Sequence, residues 1–297
     1  MGRMFLKMLL CVILYTVVFT IANAVMPFSQ GFKELGASEN PMTLLFMLVI
    51  AALVCFTIYF VIRNTHFNKK KLFMNIVFVM FFVQIFMAQI ETLLFGHAFP
   101  VLTKLDVVLI MLAGLLPLLA TVPVMIKFFH NKDVMTERME MNIKSLPVKL
   151  GIIGIIYMCI YMIFGYFVAW QFEELRIFYS GSPEKLSFWK QVFSNDPIIF
   201  PFQILRGVLF AIFVMPLKNM ISTRKTFVIS VCLVYVYLGI VLILPNVLFP
   251  DMVRMGHLLE MTSSMILFGI IVGNILFEEK SKMFKNVHYL SYHSDSF

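Results

Sequence analysis

The sequence predicts an all-α protein: a polytopic bundle of about eight membrane-spanning helices with both termini in the cytoplasm. Three observations carry that reading. Hydrophobic residues make up 61% of the 297 positions and charged residues only 13%, against about 45–50% and about 25% in ordinary soluble domains. The apolar residues gather into runs of about 20, the length a helix needs to cross the hydrocarbon core. The basic residues sit in the short segments between those runs. A soluble fold of this length could not hide 33 Phe and 23 Met, whereas lipid can cover them.

The runs lie at 8–26, 42–62, 72–95, 105–126, 150–170, 199–217, 227–244 and 255–277. The first run follows Arg3 and Lys7 and ends near Ala22-Asn23-Ala24. That pattern also fits a signal peptide, whose removal would leave seven spans without reorienting the others. Residues 1–277 then form a single transmembrane domain, and 278–297 form a polar cytoplasmic tail, solvated and disordered.

Orientation follows from Lys and Arg. One set of segments holds Arg3, Lys7, Arg63, Lys69, Lys70, Lys71, Lys127, Lys132, Arg138, Lys144, Lys149, Lys218, Arg224, Lys225, Lys280, Lys282 and Lys285. The alternate set holds only Lys33, Lys104, Arg176, Lys185, Lys190, Arg206 and Arg254. The positive-inside rule places the richer set in the cytoplasm. The net charge of +8 is therefore a topology signal, and no nucleic-acid partner is expected. The expected home is a bacterial-type plasma (inner) membrane.

Connections are short. The external stretch from Gln171 to Ile198, with Trp189, Pro183 and Pro197, is expected along the membrane interface. The segment Lys127–Lys149 mixes both charge signs and is expected to form a short surface helix. Cys11, Cys55, Cys159 and Cys232 all lie inside apolar runs and read as small buried hydrophobes.

The polar residues of the spans concentrate on the external side. Gln84, Gln89, Glu91, Thr92 and His97 occupy the second half and end of span three, and Asp106 opens span four. Gln171, Glu173, Glu174 and Arg176 end span five, and Gln203 and Arg206 open span six. Span eight opens with Arg254, His257 and Glu260, spaced every three residues so that they form one helical stripe. Arg206 lies ~10 Å into its span at 1.5 Å per residue. Spans one, two, seven and most of five carry no core charge and read as scaffold.

Ionisable groups at such depth face a protein interior or a water-filled cavity. The candidate substrate-binding or proton-coupling residues are Gln84, Glu91, Glu173, Gln203, Arg206, Arg254, His257 and Glu260, expected around one externally open cavity. The structural alternative is a set of ion pairs that fix helix register. Two hairpins share a pattern: Gln89-Ile90-Glu91 precedes Gly114 and Pro123, and Gln171-Phe172-Glu173 precedes Gly207 and Pro216 at the same glycine-to-proline separation. If they are a duplication, Glu91 and Glu173 face one axis.

Three function classes remain. The site binds or transports a small solute or anionic lipid headgroup; it belongs to an intramembrane enzyme acting on a lipid-linked substrate, with His257 as base and Ser264 as a modest nucleophile candidate; or the chain is a structural subunit of a membrane complex. No phosphate loop, dinucleotide glycine pattern or nucleophile elbow appears. The single His-x-x-Glu reverses the order of di-metal bundles, so no metal or other cofactor is expected.

Overall fold

A computed structural model describes residues 2–36, 42–65, 67–94, 96, 99–130, 144–245 and 248–277. Every regular element among them is helical. Among the described residues eight helices are long and apolar enough to cross a membrane, as many as the hydropathy pattern predicts. Helices suit that setting because each satisfies its backbone N–H and C=O groups internally.

Span one is α1 (Gly2–Val25), followed by the short α2 (Gln30–Gly36). Span two is α3 (Thr43–Arg63). Span three is α4 (Lys69–Met80), a π-helical segment (Phe81–Phe86) and α5 (Met87–Leu94) in one continuous rod. Span four is α6 (Lys104–Phe129). Span five is α7 (Leu146–Phe167), extended by a 3-10 turn (Ala169–Gln171). Two short helices follow, α8 (Glu173–Ser180) and α9 (Phe188–Ser194). Span six is α10 (Ile199–Met220). Span seven is α11 (Arg224–Ile240) with a 3-10 end (Val241–Ile243), and span eight is α12 (Asp251–Leu276).

The helices outrun the apolar runs where polar residues can cap or pair. Span eight begins at Asp251 rather than 255, which puts Arg254 inside the first turn. Thr103 and Asp106 form a reciprocal capping box that starts α6. The same Asp106 carboxylate accepts the Ser29 backbone N–H and hydroxyl, both at 2.7 Å. One buried acid thus ties the connection between spans one and two to span four.

Small residues set the closest crossings. On α11 and α12 a Cβ at Gly239 would lie 2.4 Å from the Thr262 backbone nitrogen, and one at Gly273 would lie 2.9 Å from Val228. Gly154 of α7 faces Gly207 of α10 in the same way. Membrane helices gain stability from such approach because lipid removes the hydrophobic drive between them. The core runs through all eight spans, with Cys11, Val54, Val79, Val122, Ile153, Val214, Val231 and Phe268 buried. Outward stripes such as Leu6, Ile13, Val17 and Ile21 of α1 stay exposed, as lipid-facing residues do.

The cysteines divide. Cys11 and Cys55 are buried, but Cys159 is exposed and Cys232 half-buried, and all four are free thiols. The burial expected of Cys159 does not hold, because it occupies the outward face of α7. The stretch between spans five and six carries an exposed aromatic stack: Trp189 and Phe193 are 66% and 78% exposed, with ring centroids 6.3 Å apart. The expected surface helix in 127–149, the tail 278–297 and His97 involve residues outside those described.

Candidate functional site

Arg206 is the largest side chain that is essentially fully buried, at 1% exposure. Its two terminal nitrogens donate to the two oxygens of Glu91, at 2.8 and 2.7 Å. Such a bidentate fit of guanidinium to carboxylate is the strongest geometry open to this pair. Nη1 also donates to Gln203 Oε1 at 3.0 Å, one turn earlier on α10. The guanidinium carbon sits 5.6 Å from the centre of the Tyr157 ring and 5.7 Å from that of Phe210. Two donors here, Arg206 Nε and Gln203 Nε2, are buried without a partner. The Glu91 side chain keeps 25% of its surface exposed, so the pair is shut from one side and reachable from the other.

Span eight brings the second half. His257 and Glu260 share a helical face, with Nδ1 lying 3.5 Å from Glu260 Oε2. The other ring nitrogen, Nε2, meets the Tyr179 hydroxyl at 2.9 Å. Tyr179 comes from α8, which lies across the start of α12. There, a Cβ at Gly256 would fall 2.6 Å from Leu175 and 3.0 Å from Phe172. The short helix is held down by Arg176, whose guanidinium donates to the backbone oxygens of Pro183 and Trp170. Burial first, then the charges of Glu91 and Glu260, push the Tyr179 phenol up, so it stays protonated near neutral pH.

The two halves share neighbours on span five. Tyr157 and Tyr161 of span five lie within electrostatic range of Glu91, Glu260 and Arg206 together. Spans three, five, six and eight and α8 therefore contribute to the same polar region. Gln203, Arg206 and Glu260 are at most 5% exposed. A cavity of about 30 Å³ lies away from these residues, beside Tyr15, Thr16, Phe19, Ile50 and Tyr237. A single water needs about 10–15 Å³ on the same measure, so that cavity has room for a few waters.

The remaining candidates lie apart or serve the fold. Arg254 donates to the Leu242 and Ile243 carbonyls at 3.0 and 2.9 Å and to Asp251 at 2.8 Å. It caps the end of span seven, where helix carbonyls lack partners and cations are favoured. Gln84 sits in the π-helical turn and donates to the Val234 carbonyl of α11 at 3.3 Å. Glu173 is exposed at the first turn of α8.

The repeat does not survive as an equivalence. Glu91 points inward at Arg206, whereas Glu173 faces outward on a separate helix. Gly114 packs on Ile85, four residues before Gln89, but Gly207 packs on Gly154 and Tyr157, far from Gln171. Span five is also more than scaffold. Tyr157 and Tyr161, four apart in an apolar run, and Tyr179 in the loop are the residues that sequence reasoning missed. The tyrosine pair at helical spacing was the available signal.

The π-helical segment aims Glu91. Its wider turn carries an extra residue compared with an α-helix, and one residue turns the chain by about 100°. Because the wider turn absorbs one residue, deleting Phe82 is expected to restore α-geometry with Glu91 still on Arg206. Inserting one alanine after Ala88 should instead turn Glu91 about 100° away and lower thermal stability as much as Glu91→Ala does. A deletion as damaging as the insertion would contradict this role.

The chain matches no protein-family model, no curated protein and no solved structure.

Proposed function

We propose that this multi-pass membrane protein binds and moves a small polar solute, and that the cluster of Glu91, Gln203, Arg206, His257 and Glu260 is its working site. One observation carries the reading. Glu260 lies about 14 Å along its helix at 1.5 Å per residue and is only 5% exposed. Its side-chain partner among the described residues is the His257 imidazole at 3.5 Å. A pair built only for stability would be expected to hold such a carboxylate as tightly as Arg206 holds Glu91. Ionisable groups that face the interior of a membrane bundle mark solute and ion pathways and proton relays.

The same geometry ranks the alternatives. An anionic lipid headgroup would have to displace Glu91 from Arg206, or compete with carbonyls and Asp251 for Arg254. A neutral or cationic solute meets no such obstacle. The enzyme reading gains nothing, since the Ser264 hydroxyl donates to the Met261 carbonyl of its own helix.

We further propose that the site opens externally and that both termini are cytoplasmic, in a bacterial-type inner membrane, as the Lys and Arg distribution implies. Reporters fused after Lys71, Lys144 or Lys225 should read cytoplasmic, and one within 182–184 external. Consistently opposite readings would move the site to the cytoplasmic leaflet. Function is tested by comparing metabolite uptake and lipid composition in cells lacking the chain and in cells complemented with it. A solute whose uptake falls and is restored supports the proposal. Unchanged uptake with altered lipid composition would replace transport by lipid handling, and no change in either would leave a structural subunit.

A further inference from the structure

We infer that the ion bound and released at this site is a proton, held by Glu260 and reached from the membrane surface through Tyr179 and His257. The inference rests on reading the cluster as a working site. It adds the identity of the coupled ion and its route.

The geometry supplies a continuous hydrogen-bonded path. Tyr179 Oη is 2.9 Å from His257 Nε2, and His257 Nδ1 is 3.5 Å from Glu260 Oε2. Exposure falls inward along the same path, from a half-buried Tyr179 to 21% for the His257 side chain and 7% for that of Glu260. Histidine suits the middle position because its two nitrogens can exchange donor and acceptor roles near neutral pH.

Charge balance favours a proton over a larger ligand. Among the described residues, Tyr157 and Tyr161 from span five and Tyr179 from α8 lie within electrostatic range of Glu260, and His257 sits beside it on its own helix. Glu91 and Arg206, from spans three and six, lie in range of Tyr157 and Tyr161. Arg206 is neutralised by Glu91, and the tyrosines are uncharged phenols. Glu260 is left with the His257 imidazole beside it. A proton needs only that contact, whereas a metal ion needs several converging ligands, and no group of three His, Cys, Asp or Glu side chains that could hold one occurs among the described residues.

The step balances as follows. The Tyr179 phenol gives its proton to Nε2 and takes one at the same oxygen from a hydronium ion, which leaves as water. The imidazolium so formed gives its Nδ1 proton to Glu260 Oε2. The net change is one proton moved from external water to the carboxylate, leaving His257 in the Nε2–H tautomer. The Tyr179 hydroxyl then turns outward and accepts from Nε2–H. Release runs the same steps in reverse.

The test is infrared spectroscopy of the purified full-length protein in lipid nanodiscs, following the C=O band of protonated carboxyl groups as pH is raised. The expected result is a titrating band that is absent in Glu260→Gln and shifted in midpoint by His257→Ala. In Tyr179→Phe the band remains but exchanges with deuterium at least tenfold more slowly. If Glu260→Gln does not fold, nitrogen NMR of His257, assigned with His257→Ala, must show one ring proton gained and lost over the same pH range. A band identical in wild type and Glu260→Gln, or a His257 ring that does not titrate with it, overturns the inference. The readout needs no solute. A titrating Glu260 in cells whose uptake is normal would therefore sustain the proton site and remove the transport reading.

Discussion

Replacing Arg206 by alanine is expected to destabilise the protein by about 3 kcal/mol, because removing one partner of a buried ion pair strands the other. Glu91 would lose both of its guanidinium bonds, and Gln203 would lose the side-chain hydrogen bond at Oε1. The exposed quarter of Glu91 lets water recover part of the loss, which places the effect at the lower end for such pairs. The double variant Arg206→Ala with Glu91→Ala should be more stable than the single one, since it leaves no uncompensated charge. Arg206→Lys keeps the charge but loses the two-pronged fit, and should fall between wild type and alanine. Thermal unfolding of the four proteins in one lipid or detergent checks the order. A double variant no better than Arg206→Ala would mean that the arginine acts through packing on Tyr157 and Phe210 alone.

Gly239→Ala is expected to have a comparable effect through packing. The added methyl would lie 2.4 Å from Thr262 N and Oγ1 and 2.6 Å from its Cα. The obstructing atoms include backbone, which cannot step aside as a side-chain tip can, so α11 and α12 must separate along their length. Overpacking of this kind costs about 1–3 kcal/mol and sometimes more. Gly269→Ala, whose methyl would come 3.0 Å from Cys232 Cα, should be milder. A melting-temperature series in which Gly269→Ala is the worse of the two would show that the crossing is tightest elsewhere.

Hydropathy made the helices legible because lipid demands long apolar runs. Their true ends were less visible. Asp251, Thr103 and Asp106 extend or start helices through local hydrogen bonds that a hydropathy window does not register. Depth was also legible: Arg206, His257 and Glu260 were readable as inward residues because lipid exposure of a charge is costly. Partner choice was not. Nothing in the spacing of Arg254 distinguishes a site residue from a cap on span seven, because its partners are backbone carbonyls. Glu91 and Glu173 end similar motifs, yet span three runs on as helix through Leu94 while span five breaks after Phe167. That break turns Glu173 to the surface. The π-helical turn that orients Glu91 likewise leaves no mark in apolar sequence, since Phe, Val and Ile suit both geometries.

The account stands or falls on whether Glu260 and His257 work or merely hold helices together. The direct measurement is complementation of cells lacking the chain by Glu260→Gln and His257→Ala, with the melting temperature of each purified variant recorded beside it. The account predicts wild-type melting temperatures and loss of the solute uptake that the wild-type chain restores. Variants that restore uptake fully, or lose it only in step with folded protein, would contradict it.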